Sequence, residues 1–416
     1  MKSLGKYSFG IGDRFGQQGK AQLKAFFLAK EAGIDITPVW NKSNREHQII
    51  HSEPEDTRFA ADQAVKVTGW KGNYFVDADH INLNNVDRFV NHSDFFTIDV
   101  ADYIGRSAGK EAIEQFILAN EKYTPWLSIP GIDERFEVSK KLLGEIAEKF
   151  LFATQEASRI FNHIAEKKGN TEFVTEVSMD EVESAQSPVE LFFILSSLGK
   201  LGVPVQTIAP KFTGRFNKGV DYEGSIDQFR KEFEQDLLVI DFAVKEFSLP
   251  ENLKLSVHSG SDKFSIYPVM AELIRKHNKG IHIKTAGTTW LEEMIGLALS
   301  GQDALSLAKS IYSKAYQRRT ELCAPYSTVI DIKESLLPTP AIVEGWSGKQ
   351  FADTLRHIPG HPLYNPSFRQ LIHVGYKVAA EYSNVYISHI NQNQVIVGNQ
   401  VTENIYERHF RRLFGI

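Results

Sequence analysis

Cysteine is almost missing from this chain, since Cys323 is the only one in 416 residues. A single cysteine excludes an intrachain disulfide and a thiolate zinc cluster. Long apolar runs are missing too: none approaches the roughly 18 residues of a membrane span. The start, MKSLGKYSFG, also lacks the apolar stretch of a secretory signal. These absences predict a cytoplasmic protein that does not cross a membrane.

The chain has no excess of basic residues. Lys and Arg total 47 against 52 Asp and Glu, a net charge of −5. This balance gives no reason to expect nucleic acid or an anionic membrane as a partner. Nucleotide-binding glycine patterns are missing as well, because the spacing of Gly10, Gly12 and Gly16 is one residue longer than the dinucleotide fingerprint. The expected partner is a small molecule, and assembly into a homo-oligomer is left open.

Strand-like segments recur along the first three quarters of the chain. Eight short apolar or β-branched runs lie at 7–11, 35–39, 73–77, 95–99, 172–178, 205–209, 253–257 and 281–285. The segments between them have helical periodicity, which is clearest in residues 226–244. Strands that alternate with amphipathic helices indicate parallel βαβ units, and eight units favour a closed (β/α)8 TIM barrel. An open doubly wound sheet is the alternative, but the pattern has no evident switch point.

The chain is longer than the roughly 250 residues of a plain barrel. Residues 105–171 form a long insertion between the fourth and fifth strands, with a predicted helix at about 137–167. After the eighth unit, residues 303–416 have helical patterns at 304–321, 366–382 and 401–413. We therefore expect a catalytic barrel at 1–302 and a helical extension at 303–416 that packs on it.

Polar residues follow six of the eight predicted strands. The carboxyl ends of barrel strands form the active face, so these residues are expected to meet there. Any one of them is more simply explained as a satisfied loop residue, but six strand ends together are not. The residues are Asp13 and Arg14, Asp79 and His80, Asp180 and Glu181, Lys211, the run His258, Ser259, Asp262 and Lys263, and finally Lys284, Thr285 and Gly287.

Histidines and carboxylates at separate strand ends suit a divalent metal such as Zn, Mn, Ni or Co and leave positions open for substrate. The predicted ligands are His80, Glu181, His258 and His373. His373 lies outside the barrel, in an apolar helical stretch, and would have to fold back over the mouth. The rival ligands are Asp180, Glu176 and His282, the last of which sits lower on its strand.

Several blocks of sequence are similar to those of a known family, in the same order. They are FGIGDRFG, DADHINLNNVDRF, FTIDVAD, SPVELFFI, IAPKFTGRFNKGVDY, SVHSGSDKFSIYPVM and IHIKTAGTTWLE. These blocks resemble the tagaturonate/fructuronate epimerase family over most of residues 8–300, and residues 258–264 and 284–288 are their most specific parts. The C-terminal region resembles it more weakly, near HPLYNPSFRQLIHVGYKVAAE.

The resemblance implies a metal-dependent isomerase that interconverts D-tagaturonate and D-fructuronate in hexuronate breakdown. Some members of the family also act on the neutral ketoses tagatose and fructose. A tagatose/fructose 4-epimerase or a class II-type sugar aldolase on the same scaffold therefore stays an alternative, since a fold does not fix a function. A catalytically inactive sugar-sensing protein is a third reading.

The two keto acids differ at C4, whose hydrogen is acidified neither by the C2 ketone nor by the C6 carboxylate. Retro-aldol cleavage between C3 and C4, rotation of the aldehyde and re-addition would invert this centre. The cleavage produces an enediolate, which a metal is suited to stabilise, and it needs a base for the C4 hydroxyl proton. The predicted catalytic residues are Asp79, Asp180 and Lys284. The predicted substrate-binding residues are Asp13, Arg14, Lys211, Ser259, Asp262, Lys263, Thr285 and Gly287.

Overall fold

Eight parallel strands close into a barrel in the order β1-β10-β9-β8-β7-β4-β3-β2, which confirms the predicted (β/α)8 fold. The computed structural model describes residues 4–180, 182, 184–285 and 287–416. An antiparallel pair, β5 and β6, lies in the insertion. The strands are β1 (Tyr7–Ile11), β2 (Ile36–Ser43), β3 (Phe75–Ile81), β4 (Phe95–Asp99), β5 (Trp126–Leu127), β6 (Phe136–Glu137), β7 (Val174–Ser178), β8 (Val205–Ala209), β9 (Lys254–His258) and β10 (Ile281–Thr285).

Helices cover the outside of the barrel and make up most of the C-terminal extension. Their starts follow local chemistry: at α6, Ser187 and Glu190 form a reciprocal capping box, with Pro188 at the first helical position. The helices are α1 (Gly19–Glu31), α2 (Asn44–Ile50), α3 (Pro54–Thr68), α4 (Lys110–Asn120), α5 (Lys140–Lys168), α6 (Pro188–Lys200), α7 (Ile226–Glu246), α8 (Tyr267–Lys276), α9 (Thr288–Leu299), α10 (Gln302–Gln317), α11 (Arg319–Cys323), α12 (Pro340–Glu344), α13 (Gly348–Leu355), α14 (Pro366–Val374), α15 (Tyr376–Tyr382), α16 (Asn384–Gln392), α17 (Gln394–Glu403) and α18 (Arg411–Phe414).

The third strand extends further than its sequence pattern indicates. The pattern ends it at residue 77, whereas β3 continues to Ile81, so Asp79 and His80 also belong to the strand itself. Its pairing with β4 shifts register between Ala78 and Ile81. A bulge of this kind re-aims the side chains beside it. His80 has a φ of 51°, a left-handed conformation that costs a non-glycine residue roughly 1–3 kcal/mol and is concentrated at functional sites.

The C-terminal extension is continuous with the barrel in its packing. A second hydrophobic cluster begins in α9 with Trp290 and continues to Val397. The end of the chain returns to the barrel, where the Phe410 ring meets Phe9 edge-on at 5.0 Å. Residues of the barrel part thus contribute to the second hydrophobic cluster, and residues of the extension contribute to the first. The domain division at residue 302 stays a prediction. Within the described part of the chain, no helix is both long and apolar enough to cross a membrane.

Candidate active site

The barrel opens at the carboxyl ends of its strands into a cavity of about 1010 Å³. Residues from β3, β9 and β10 line it from the barrel side, and His373 and Tyr376 line it from the extension. The predicted folding of His373 over the mouth therefore agrees with its position. Concave sites with a few convergent polar groups are typical of small-molecule binding.

Two histidines and one carboxylate converge at one side of this cavity. Ligand atoms of His80, Asp180 and His258 all lie within 4.8 Å of one another. His258 Nδ1 is 3.2 Å from Asp180 Oδ1, and the two imidazole centroids are 5.3 Å apart. The sequence predicted both histidines as ligands, with Asp180 as a rival ligand and a candidate base.

Further carboxylates lie behind both histidines. His258 Nε2 is 2.8 Å from Glu176 Oε1, and His80 Nδ1 is 3.3 Å from Asp99 Oδ2. Histidines that bind metals are commonly oriented in this way by a carboxylate on the other ring nitrogen. Burial alone would lower the pKa of His258, but the charges of Asp180 and Glu176 outweigh it and raise this pKa to about 9.

Lys284 is surrounded by three acidic side chains at the centre of the barrel. Its Nζ lies 2.7 Å from Asp77 Oδ2, 2.8 Å from Asp79 Oδ1 and 2.9 Å from Glu176 Oε1, and it also donates to Thr97 Oγ1. Burial would lower the pKa of Lys284, yet these carboxylates raise it well above its usual value. A lysine held protonated has no lone pair to attack a carbonyl, so the arrangement favours a cation over a Schiff-base nucleophile.

The acids of this network titrate differently. Burial raises the pKa of Asp77 to about 7. Burial acts on Asp79 in the same direction, but Lys284 and His80 overcome it and lower the pKa of Asp79 to about 2. For Asp180 too, the charges of His258 and His80 outweigh burial and hold the pKa below its usual range. Asp79 and Asp180, the two predicted bases, are therefore both ionised and able to accept a proton.

Arg14, Lys211 and Gly287 also line the cavity. The Arg14 guanidinium donates to Glu46 Oε1 at 3.0 Å and to the carbonyl of His373 at 3.2 Å, and it stacks over the Tyr376 ring at 3.8 Å. The carboxylate of Asp13, the residue before it, instead accepts hydrogen bonds from the backbone amides of residues 17 and 18. Burial raises the pKa of Asp13.

Five predicted substrate-binding residues, Asp13 and four others, are not among the described residues that line the cavity, because their polar atoms are used inside the protein. Ser259 donates to the carbonyl of Lys284. Thr285 donates to the carbonyl of Gly10, and Lys263 Nζ donates to the carbonyls of residues 217 and 220. Asp262 binds Arg369 Nη2 at 2.8 Å and His409 Nε2 at 3.0 Å. The polar atoms of these four side chains therefore form hydrogen bonds within the protein and do not face the cavity.

The other two predicted metal ligands are His373 and Glu181. His373 lines the same cavity but is not in the group of convergent ligand atoms found among the described residues. Glu181 lies outside the described residues. His282, a rival, is deeper in the barrel, where its Nδ1 is 2.9 Å from Ser8 Oγ.

Sequence reasoning missed Asp77, Asp99 and Lys218. Asp77 could have been found, because Asp77 and Asp79 are two apart and therefore face the same side of a strand. Asp99 is the last residue of β4. The strand-end rule, by which the carboxyl ends of barrel strands form the active face, therefore applied to Asp99 as well. Lys218 had no such signal, since it lies in a long loop after β8 and is brought to the cavity by the tertiary fold.

The chain is similar in sequence to known proteins. The sequence profile of the UxaE family, described as tagaturonate epimerase, matches residues 2–412. The tagaturonate/fructuronate epimerase of Thermotoga maritima is 30% identical over 301 residues, which are 68% of this chain and 58% of the relative. The match thus spans less than two thirds of that relative's length.

Solved structures show the same fold. The glycerol-complexed fructuronate-tagaturonate epimerase UxaE from Cohnella laeviribosi is similar with a TM-score of 0.81 at 21% identity, covering 99% of this chain and 82% of that one. Its native structure gives a TM-score of 0.79 with the same identity and coverage. The family profile spans nearly the whole chain and agrees with the Thermotoga relative, and so this chain belongs to the UxaE family of tagaturonate epimerases.

Proposed function

We propose that this protein is an isomerase that interconverts D-tagaturonate and D-fructuronate with the help of a divalent metal ion. The observation that carries the proposal is the convergence of His80, Asp180 and His258 in the cavity of a chain that belongs to this family. In this proposal the protein binds a small keto-sugar acid as its substrate and acts in the cytoplasm.

The three side chains fit a metal. Their ligand atoms are close enough to share one ion, and two imidazoles with one carboxylate leave coordination positions open. This donor set suits Zn, Mn, Ni or Co better than the all-oxygen sites of Ca or Mg. Glu176 and Asp99 supply the outer carboxylates that would orient the two rings. When bound, the cation would supply Lewis acidity toward the oxygens of the substrate.

Inversion at C4 proceeds by breaking and remaking the C3–C4 bond. Asp79 accepts the proton of the C4 hydroxyl, C4 becomes an aldehyde carbon, and the electron pair of the broken bond passes to the C2 carbonyl as an enediolate. The aldehyde turns, the enediolate attacks its other face, and the proton returns to the new C4 oxygen. Asp79 is ionised, as this step requires, and Asp180 is left to hold the cation.

The positive charge of Lys284 offsets the negative charges of the carboxylates around it. Its ammonium lies against Asp77, Asp79 and Glu176, so these acids do not repel the enediolate as a group of bare charges would. Because its pKa is raised, it stays protonated throughout. It therefore serves as a fixed cation that keeps Asp79 ionised and in place.

The proposal is tested by following D-tagaturonate in protein stripped of metal and then restored with manganese, zinc or nickel. Fructuronate is expected only after restoration, and His80→Asn and His258→Asn are expected to lose both bound metal and turnover. His163→Asn is the matched control, because His163 pairs with Asp87 on the outside of the barrel. Turnover in the stripped protein would contradict the metal, whereas consumption of tagatose or of an aldol donor in place of tagaturonate would contradict the substrate.

A further inference from the structure

His373 is a buried histidine whose ring nitrogens are unpaired among the residues that the structure describes. Only 3% of it is exposed, and within that part of the chain neither Nδ1 nor Nε2 has a hydrogen-bond partner. Burial holds its pKa well below the usual value, and the charges of Arg14 and Lys218 act in the same direction. The ring is therefore neutral, with one N–H to donate. A buried polar group left unpaired is costly, which points to a ligand that completes it.

The ring of His373 lies directly over the start of α9. A Cβ added to Gly287 would come within 2.0 Å of His373 Nε2, so only glycine lets the ring approach the backbone here. Gly287 is the residue that precedes Thr288 at the start of this 12-residue helix, and it lines the cavity. The beginning of a helix carries partial positive charge and attracts anions.

Lys218 adds a full positive charge at this side of the cavity. Its side chain lines the cavity, and no carboxylate lies within ion-pair distance of it among the residues that the structure describes. Its Nζ lies 5.8 Å from the centre of the Tyr326 ring. The side of the cavity that carries His373, Lys218 and Gly287 therefore presents hydrogen-bond donors and positive charge to an anionic group.

We infer that His373, Lys218 and the start of α9 bind the carboxylate of the substrate and thereby select sugar acids over neutral ketoses. The inference rests on the proposed function and names the part of the site that recognises C6. It gives His373 a role other than the metal ligation predicted from the sequence. With the carboxylate held here, the ketone end of the substrate is left for the side of the cavity that carries His80 and His258.

The test compares two ligands that differ only at the recognised end. D-galactonate ends in a carboxylate where galactitol ends in a hydroxymethyl group. Each is titrated calorimetrically into the metal-free full chain, and each is measured as an inhibitor of D-tagaturonate turnover in the metal-loaded protein. Selective binding of D-galactonate is expected, because hydrogen bonds to a charged group contribute more than those between neutral groups.

Four variants test which residues produce the preference for D-galactonate over galactitol. Lys218→Met and His373→Leu are each expected to weaken D-galactonate binding by roughly 10- to 100-fold and to leave galactitol unchanged. His373→Gln keeps an N–H donor and is expected to recover most of the loss. Lys377→Met is the matched control: it removes the same charge from a lysine whose Nζ lies 4.9 Å from the centre of the Tyr326 ring, outside the cavity lining.

The outcomes separate this inference from the proposed function. Selective binding of D-galactonate that Lys218→Met abolishes supports the carboxylate site, even if no metal restores turnover. Equal binding of the two ligands, or no binding of D-galactonate, would overturn it. Equal loss of both ligands in His373→Leu without recovery in His373→Gln would also overturn it, because that result indicates a purely structural role.

Discussion

Replacement of Asp262 by asparagine tests whether this residue stabilises the fold or binds substrate. Asp262 and Arg369 are both fully buried, with Arg369 Nη2 at 2.8 Å from Asp262 Oδ2. His409 Nε2 lies 3.0 Å from the other carboxylate oxygen. Arg369 and Asp262 stand on opposite sides of the contact between the barrel and the extension. We expect Asp262→Asn to weaken this contact strongly.

The size of the effect follows from the charge that is left behind. Arg369 also donates to the carbonyls of Gly219 and Leu355, so its guanidinium stays hydrogen-bonded but loses its counter-ion. Removal of one partner of a buried ion pair costs about 3–5 kcal/mol. An exposed pair contributes only about 0–1 kcal/mol. The half-exposed pair between Asp241 and Lys279 therefore provides a matched control.

The assay is urea unfolding of the wild type, Asp262→Asn, Arg369→Met, their double variant and Asp241→Asn. The free energy of unfolding is expected to fall by about 3–5 kcal/mol in each variant at the buried pair. The double variant is expected to lose less than the sum of the two, because the second change removes the stranded charge. Asp241→Asn is expected to stay within about 1 kcal/mol of the wild type. An Asp262→Asn protein as stable as the wild type would refute this reasoning.

Three further predictions concern the cavity and its surroundings. Lys284→Met leaves three acids without their cation, so we expect loss of turnover and a drop of about 3–5 kcal/mol in unfolding free energy; unchanged turnover would contradict its role. Burial and the charge of Asp13 raise the pKa of Glu293 to about 8, above its unfolded value, so stability falls as pH rises through about 4.5 to 8. In urea unfolding at pH 6 and pH 9, Glu293→Gln should flatten this fall, and a variant with the same slope as the wild type would argue against it. Gly287→Ala forces the His373 ring aside, so kcat/KM for D-tagaturonate should drop by roughly 10-fold, and kinetics equal to the wild type would speak against the packing.

The barrel was predictable because its signals are local and repeated. In α7, Phe229, Phe233, Leu237 and Ile240 recur at helical spacing and are all buried. The end of β3 was misjudged because acids are normally loop residues. Here Asp79 stays in the strand and in the interior, since Lys284 from β10 lies 2.8 Å away and offsets its charge. That partner is more than two hundred residues distant, beyond the reach of a local pattern.

The candidate site was predictable only in part. The strand-end rule brought together Asp79, His80, Asp180, His258 and Lys284, because barrel closure places all strand ends at one rim. It could not separate residues that face the cavity from residues that face another part of the protein. Asp262 and Lys263 follow β9, which ends in His258, but both are buried: Arg369 of the extension binds Asp262, and carbonyls of the loop after β8 accept from Lys263. Which loop residues become buried depends on where a later helix packs, and no spacing in the sequence encodes that.

The Asp262–Arg369 pair and the proposed carboxylate site are connected through one helix. Arg369 and His373 both lie in α14 and are four residues apart, so they share one side of that helix. If Asp262 acts through Arg369, then Asp262→Asn and Arg369→Met should weaken D-galactonate binding by the same factor, because either change releases the helix that carries His373. If Asp262 instead contacts substrate, only Asp262→Asn should weaken it. Titration of D-galactonate into both folded variants distinguishes a residue that positions the site from one that belongs to it.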